Sequence, residues 1–244
     1  MSTDTLLTVA NVTRRFGGLV ANSNVSMTVH RGEMLGLIGP NGAGKSTLFN
    51  LIAGTFPPNE GRILFEGQDI TGLPAPARCR LGIARTFQVP RSFDSMSVLD
   101  NVMVGAFAKV PGSHAARRTA IETLDFCSLA HRTEASAGDL TPPEKRRLEV
   151  ARALATKPKL LLLDEVMTGL TPSEARLGVE LVRKVRDQGV TVIMVEHVME
   201  IVMPLVDRAV VLNLGKVLAE GKPKDVVRDD AVITAYLGER HRAA

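Results

Sequence analysis

Aromatic residues are scarce in this chain. Trp is absent, Tyr236 is the one tyrosine, and Phe, Tyr and Trp together make up 4% of the 244 residues. The core must therefore be built from aliphatic side chains. Proteins that bind single-stranded nucleic acid usually stack the bases on aromatic side chains, so this composition argues against a nucleic-acid partner. The net charge of +4 is a mild basic excess that suits a small anionic ligand or an anionic membrane surface.

Cysteines and long apolar runs are also rare. Cys79 and Cys127 lie in unrelated segments and have no metal-binding or redox spacing, so we expect two reduced thiols in a cytoplasmic protein. The first residues lack the charged start and apolar run of a signal peptide. No stretch reaches the ~20 apolar residues that span a bilayer. We therefore expect any membrane role to be played through a partner protein.

Apolar spacing divides the chain into three parts. The first third predicts strands at 6–12, 25–29, 34–38 and 62–65, with a helix at 46–53 that Gly54 ends. The middle, from 90 to 157, has helical spacing. The last third predicts strands at 160–163, 190–195 and 209–214, which alternate with helices at 173–188 and 198–205. Alternation of strands and helices indicates an α/β protein with a parallel sheet.

A phosphate-binding loop follows the strand at 34–38. The segment GPNGAGKST matches the pattern G-x-x-x-x-G-K-[ST], with an apolar strand before it and a helix after it. Glycines permit a tight ring of inward N–H groups, Lys45 supplies a cation near the outer phosphates, and Ser46 can ligate Mg²⁺. The predicted nucleotide-binding residues are Gly39, Pro40, Asn41, Gly42, Ala43, Gly44, Lys45, Ser46 and Thr47.

Acidic residues follow a second apolar strand. Four leucines lead into Asp164 and Glu165, which places both carboxylates at the edge of the sheet where ligands bind. Asp164 can hold Mg²⁺, and Glu165 can act as general base on the attacking water. Taken alone, such a pair can also simply end a strand in solvent. His197 follows the strand at 190–195. Two interpretations of this residue stay open, a contact with the γ-phosphate and a structural role.

Together these motifs resemble the ABC ATPases, because GPNGAGKST, Gln88 in RTFQ, LLLLDE and His197 occur in that family's order and spacing. The resemblance covers about residues 6–239. It implies a P-loop NTPase fold with a mixed sheet core, an N-terminal antiparallel β subdomain and a helical subdomain. The implied organisation is one nucleotide-binding domain, with 1–88 and 158–244 as the core and β subdomain and 89–157 as the helical subdomain.

The resemblance also implies roles and partners. Phe16 is similar to the aromatic residue that stacks on adenine, Gln88 to the residue that links Mg²⁺ and water to the membrane partner, and His197 to the switch histidine. The segment GLTP at 169–172 corresponds to the dimer-contacting D-loop. The implied cofactors are ATP and Mg²⁺. The implied partners are a second ABC ATPase subunit, a transmembrane permease and a solute-binding protein, with the chain peripheral on the inner face of the membrane.

Within the family, GIARTFQ at 82–88 followed by SVLDNV at 97–102 resembles the branched-chain amino acid uptake group. The ending YLGE at 236–239 supports this group, although lipopolysaccharide-export ATPases are similar there. A soluble ABC ATPase that serves metal-cluster assembly remains an alternative, which co-purification with membrane proteins would distinguish. A nucleotide-binding regulator with little turnover is another. A DNA-repair protein is disfavoured because the sequence has no coiled coil and no zinc-binding cysteines.

The signature segment departs from the family pattern L-S-x-G-Q. The chain has Leu140-Thr141-Pro142-Pro143-Glu144, in which Thr141 keeps a hydroxyl for the nucleotide but Pro143 has no N–H to offer. Thr141 and Glu144 also form the pattern of a capping box. We expect a weak signature half-site, with one competent and one degenerate ATP site in a heterodimer. Val166 also stands where many relatives have proline, without a physical explanation from sequence.

Overall fold

A computed structural model of the protein describes residues 4–196 and 199–237, with only the backbone at Glu200, Ile201 and Leu237. These described residues form two units, one within 4–75 and 191–237 and the other of residues 76–190. Within the described ranges, no helix is long and apolar enough to cross a membrane.

The first unit contains two sheets and short helices. Its strands are β1 (Thr5–Phe16), β2 (Leu19–His30), β3 (Met34–Ile38), β4 (Glu60–Phe65), β5 (Gln68–Asp69), β8 (Thr191–Val195), β9 (Arg208–Asn213) and β10 (Lys216–Gly221). Its helices are α1 (Lys45–Ala53), α7 (Met199–Val202), α8 (Pro223–Val226) and α9 (Asp230–Leu237).

The N-terminal sheet of this unit is antiparallel, with the strand order β2-β1-β4-β5. In β2 the side chains of Val25, Met27 and Val29 are buried while those between them are not. Such alternation is expected where one face of a sheet covers a core and the other meets water.

The second sheet of this unit carries the strand that leads to the glycine-rich loop. β3 pairs in parallel with β8 on one side and with β9 on the other, and β10 forms an antiparallel hairpin with β9. All five residues of β3 and all five of β8 are buried. A strand with parallel neighbours on both sides has both faces covered, which explains its continuous apolar sequence.

The second unit is mainly helical. It contains the parallel strands β6 (Ile83–Arg85) and β7 (Leu160–Asp164), the helices α3 (Val98–Ala106), α4 (Ser113–Phe126), α5 (Pro142–Ala155) and α6 (Pro172–Asp187), and two 3₁₀ turns, Ala130–Arg132 and Ala137–Asp139. The helix α2 (Ala75–Leu81) begins at the boundary between the units. A Cβ on Gly105 of α3 would lie 2.2 Å from the Arg152 carbonyl oxygen of α5, so these two helices pack at the distance that only glycine permits.

The expected fold class is confirmed, with three differences in detail. β1 and β2 extend well beyond 6–12 and 25–29, because polar residues such as Arg14 and Asn22 continue the antiparallel ladder. The strands β6 and β10 and the helices α8 and α9 were not predicted. The expected helix at 198–205 is, within the described residues, the four-residue helix α7. Short elements carry too few residues for a hydrophobic period to show.

Candidate functional site

The glycine-rich loop lies in the first unit, between β3 and α1. Gly39 has a φ of 148° and Gly44 a φ of 100°, both in the region that favours glycine. A Cβ would lie 2.1 Å from the Leu212 carbonyl oxygen at Gly39, and 2.4 Å from the Ala21 carbonyl oxygen at Gly44. The two glycines are therefore required by both backbone conformation and space.

Lys45 points into this loop. Its side chain is buried, and its ammonium Nζ donates to the carbonyl oxygens of Gly39 at 2.6 Å and Pro40 at 2.9 Å. Ser46 is exposed and Thr47 half-buried at the start of α1. The loop thus presents a cation, a free hydroxyl and the N-terminus of a helix together, which is the chemistry that binds phosphate.

Two neighbouring segments hold the loop from outside. The N–H of Gly215, in the β9–β10 turn, donates to the Ala43 carbonyl oxygen at 3.0 Å. The fully buried Asn22 of β2 donates its side-chain amide to the Gly44 carbonyl oxygen at 3.2 Å. Neither support was predicted, because nothing in the local pattern links residues 22 or 215 to the loop.

Phe16 belongs to an exposed aromatic cluster of the first unit. Its ring is 43% exposed and meets Phe56 edge-to-face with 5.4 Å between the ring centroids. The Arg14 guanidinium lies 4.6 Å from the centroids of both rings. The cluster offers a flat apolar surface beside a cation, which suits a purine ring. Arg14 and Phe56 were missed, since single residues of these types carry no motif.

The acidic pair lies in the second unit, at the end of β7. Asp164 and Glu165 are 4% and 5% exposed. The Gln88 side-chain amide Nε2 donates to Glu165 Oε2 at 2.7 Å. Two residues that the sequence assigned to one reaction are therefore in direct contact, although 77 positions separate them along the chain.

Arg85 accompanies Asp164. Their side chains form an ion pair with 3.5 Å between Nη2 and Oδ2. Burial lowers the pKa of Arg85, and the charge of Asp164 acts in the opposite direction. Asp164 is held further by its backbone N–H, which donates to Thr86 Oγ1 at 3.0 Å. Arg85 therefore balances the charge of the carboxylate that the sequence predicts as a metal ligand.

Glu165 has an unusual backbone. Its φ is 50°, in the left-handed region that costs an L-residue about 1–2 kcal/mol. The Arg146 guanidinium of α5 donates to the Glu165 carbonyl oxygen at 2.9 Å. This charge-assisted bond helps to hold the strained turn that presents the carboxylate.

The signature segment begins α5 as the predicted capping box. Thr141 is the N-cap residue, and its N–H and Oγ1 each donate to Glu144 Oε2 at 2.9 Å. Arg132 Nε donates to Glu144 Oε1 at 2.8 Å and, with these bonds, lowers the pKa of Glu144 to about 2. The carboxylate is thus neutralised by Arg132, which leaves the missing N–H at Pro143 as the larger departure from the family pattern.

Pro143 and Val166 share one apolar cavity. The cavity has a volume of about 170 Å³ and is also lined by Met167 and Leu177. Val166 is 7% exposed. Both departures from the family pattern therefore face the same space between α5 and α6.

Two further predictions concern the D-loop segment at 169–172 and the switch histidine, His197. Gly169 has a φ of 77° in the turn before α6, and Thr171 caps that helix in a second capping box with Glu174. His197 lies outside the described residues, so its role stays a prediction.

Comparison with known proteins identifies the family. A family model described as "ABC transporter" matches residues 22–168, and one described as "Branched-chain amino acid ATP-binding cassette transporter" matches residues 216–242. The chain is 38% identical over 250 residues to the high-affinity branched-chain amino acid transport ATP-binding protein LivG of Escherichia coli, covering 96% of this chain and 98% of that protein. It is 39% identical to BraF of Pseudomonas aeruginosa, with the same coverage.

Solved structures agree with this result. A crystal structure of an ATP-binding cassette of an ABC transporter in its ADP conformation matches with a TM-score of 0.89 and 33% identity, covering 96% of this chain and 99% of that one. A dimeric cassette in a post-hydrolysis state with ADP and Pi matches with a TM-score of 0.81 and 26% identity, covering 89% and 99%. The chain therefore belongs to the ABC transporter family of nucleotide-binding ATPases.

Proposed function

We propose that this chain is the ATP-hydrolysing subunit of a transporter that takes up branched-chain amino acids or a closely related solute. The observation that carries this proposal is the match of residues 216–242 to the branched-chain amino acid cassette family. Relatives named for high-affinity transport of these amino acids also align over 96% of the chain. The solute itself is selected by other subunits.

The first unit binds the nucleotide. Residues 39–47 surround the phosphates, with Lys45 as the cation and the N-terminus of α1 as a further source of positive potential. Phe16 stacks on the adenine, with Arg14 and Phe56 beside it. The exposure of the Phe16 ring and the buried position of the Lys45 ammonium support these two assignments.

Mg²⁺ is assigned to Ser46, Gln88 and Asp164. Hydroxyl, amide and carboxylate oxygens are the ligand types that Mg²⁺ prefers, and the buried Asp164 is the strongest of the three. Mg²⁺ held by these residues would supply positive charge against the phosphates of the nucleotide.

Glu165 is the general base for the attacking water. The Gln88 amide, 2.7 Å from its carboxylate, holds the carboxylate in one orientation. We assign His197 to the γ-phosphate on its sequence position alone. Positioning of water and base contributes most of the rate in such reactions, because phosphoryl transfer requires little covalent chemistry from the protein.

The chain works with partners. A second ABC ATPase subunit, a permease and a solute-binding protein complete the system, with this chain on the inner face of the membrane. Residues 89–157 form the helical subdomain and the rest the core and β subdomain. Because Pro143 offers no N–H, we propose a heterodimer in which the site using this chain's Thr141 is the degenerate one.

ATP turnover tests the proposal. Turnover by the assembled transporter should rise when a branched-chain amino acid and the binding protein are added, and should be lost in a Glu165→Gln variant. The purified chain alone should bind MgATP with little turnover at any protein concentration if it needs a heterologous partner. Turnover by the chain alone that rises more than linearly with concentration would instead show that homodimers suffice. Stimulation by an unrelated solute only would contradict the substrate class.

A further inference from the structure

One arginine of α5 reaches two residues of the proposed hydrolytic site. Arg146 is half-buried, and its Nη1 donates to the Glu165 carbonyl oxygen at 2.9 Å and to the Gln88 carbonyl oxygen at 3.5 Å. These acceptors lie 19 and 58 positions away along the chain. In the described part of the chain, the hydrogen bonds of this side chain therefore go to the main chains of two residues that are assigned to hydrolysis.

The same two residues are also joined through their side chains. The Gln88 amide Nε2 donates to Glu165 Oε2 at 2.7 Å. Gln88 and Glu165 are thus connected once directly, through amide and carboxylate, and once through their main chains by way of Arg146. A catalytic pair keeps its geometry when a further shell of hydrogen bonds fixes the groups that carry it. Arg146 is placed to supply that shell.

Glu165 has a main-chain conformation that its surroundings must hold. Its φ of 50° lies in the left-handed region, which an L-residue keeps only when other contacts compensate. Its carbonyl oxygen also accepts from the Thr168 N–H, at 3.3 Å. The bond from Arg146 is shorter, and charge-assisted hydrogen bonds are roughly twice as strong as neutral ones. Arg146 therefore makes the stronger of these two contacts with the carbonyl oxygen.

Gln88 lies in a segment without regular structure. The residues from 86 to 96 form no helix or strand, and Pro90 has no N–H to donate. The conformation of this segment consequently depends on contacts from outside it. The 3.5 Å bond from Arg146 to the Gln88 carbonyl oxygen is long and weak by itself, but the short bond to Glu165 anchors the guanidinium that makes it.

The next residue of α5 provides a comparison. Arg147 donates to the Ser128 carbonyl oxygen at 3.2 Å, which has no part in the proposed hydrolysis. Neighbouring residues of a helix do not face the same direction. Two adjacent arginines of one helix therefore bind different segments, and substitution of Arg147 controls for general effects of removing a cation from α5.

We infer that Arg146 is a positioning residue for ATP hydrolysis: its guanidinium joins the main chains of Gln88 and Glu165, so that the Gln88 amide meets the Glu165 carboxylate. The inference rests on the proposed hydrolytic function. It goes beyond that function in assigning the geometry of the base to a side chain of the helix that begins at the signature segment. Arg146→Met keeps the apolar stem and removes the donors, and Arg146→Lys keeps a cation with a shorter reach.

The first measurement is the NMR signal of the Gln88 side-chain amide in the full chain, identified as the pair of peaks that Gln88→Ala removes. Arg146→Met should move this pair toward the position of a free glutamine amide and raise its exchange with water about tenfold. Arg146→Lys should recover part of the change, and Arg147→Met should cause none. An unchanged Gln88 signal in Arg146→Met would overturn the inference. If Arg146→Met does not fold, Arg146→Gln, whose donor ends nearer the helix backbone, replaces it with the same expectation.

The second measurement separates kcat from KM for ATP in the assembled transporter. Misplacing a catalytic group by about 1 Å costs on the order of 100-fold. Arg146→Met should therefore lower kcat roughly 10- to 100-fold and leave KM within about twofold, with Arg146→Lys recovering part of the loss. In a Gln88→Ala background the same substitution should lower kcat no more than about threefold, because the contact that Arg146 positions is already absent.

Two kinetic results would contradict the positioning role. One is a full loss of kcat in both backgrounds, which would show that Arg146 acts independently of Gln88. The other is a rise in KM that accounts for the whole loss of kcat/KM. No turnover in the wild type would contradict the proposed function instead, and the NMR signal of Gln88 would then decide by itself whether Arg146 positions this amide.

Discussion

The phosphate loop and the acidic edge are built in different ways. The loop of residues 39–47 is shaped by its own backbone, with glycines at positions where a Cβ would strike a carbonyl oxygen. At the acidic edge, Asp164 and Glu165 are oriented by Arg85, Gln88 and Arg146, which come from elsewhere in the chain. The first kind of site depends on conformational freedom at a few positions, and the second depends on a network of side chains.

The largest effect is expected at the acidic edge. Glu165→Gln keeps the shape of the side chain but removes the base, so kcat for ATP hydrolysis should fall about 10²- to 10⁴-fold. Nucleotide binding should be retained, because the loop lies in the other unit. Steady-state turnover and equilibrium MgATP binding measure the two quantities, with Glu122→Gln as a control. An equal loss of MgATP binding would mean that the Glu165 carboxylate is needed for nucleotide binding as well as for hydrolysis.

Substitution of glycines in the phosphate loop should destabilise it through its backbone. Gly44→Ala places a Cβ 2.4 Å from a carbonyl oxygen at a φ of 100°, and Gly42→Ala adds one at a φ of 78° with nothing within 4 Å. We expect a loss of roughly 3 kcal/mol in the free energy of unfolding for the first and about 1 kcal/mol for the second. Chemical denaturation compares them. Equal losses of unfolding free energy would show that the backbone conformation at these glycines, and not the space around them, determines the stability of the loop.

Two carboxylates of α5 should respond to pH in opposite directions. Burial raises the pKa of Glu149 to about 7 from its ordinary value of 4.5, so its ionisation destabilises the folded state. Its stabilising contribution is full below about pH 4.5 and is lost as the pH rises through 7, by about 3 kcal/mol at most. Glu144, with a pKa lowered to about 2, contributes stability above about pH 4.5 that is lost as the pH falls through 2.

Unfolding free energies at pH 5 and pH 8 test the Glu149 half of this prediction. The wild type should lose stability relative to Glu149→Gln over that interval, because the amide does not ionise. A difference between the two proteins that does not change with pH would show that the carboxylate is better solvated than its burial suggests. Glu144→Gln provides the matched comparison at low pH. There the difference in unfolding free energy between the wild type and this variant should become smaller.

The smallest effect is expected at the signature segment. Pro143→Gly supplies an N–H that can meet the γ-phosphate bound by the partner subunit. One hydrogen bond to a charged group contributes about 1.5–3 kcal/mol, so turnover of the assembled transporter should rise roughly tenfold if the degenerate site becomes active. Single-turnover measurements of both sites give the result. Unchanged turnover would contradict the heterodimer with unequal sites.

Prediction from sequence succeeded where local pattern decides structure. The glycine-rich loop, β3, β7 and the capping box at Thr141 each follow from residues within a few positions of one another. The full extent of β1 and β2 was not predicted, and neither were the short strands β6 and β10. Polar edge strands and segments of three to six residues show no hydrophobic period. The cationic aromatic cluster around Phe16 was predicted only at Phe16 itself.

The sequence by itself determined the phosphate loop, the buried strand that ends in two acids and the family to which the chain belongs, because these depend on backbone freedom and local order. The tertiary structure decided the rest of the site. Arg132 neutralises Glu144, Gln88 meets Glu165, and Arg146 holds the Glu165 carbonyl oxygen. These pairs join positions 12 to 77 residues apart, and only the packing of helices against strands brings such charges together and removes the water between them.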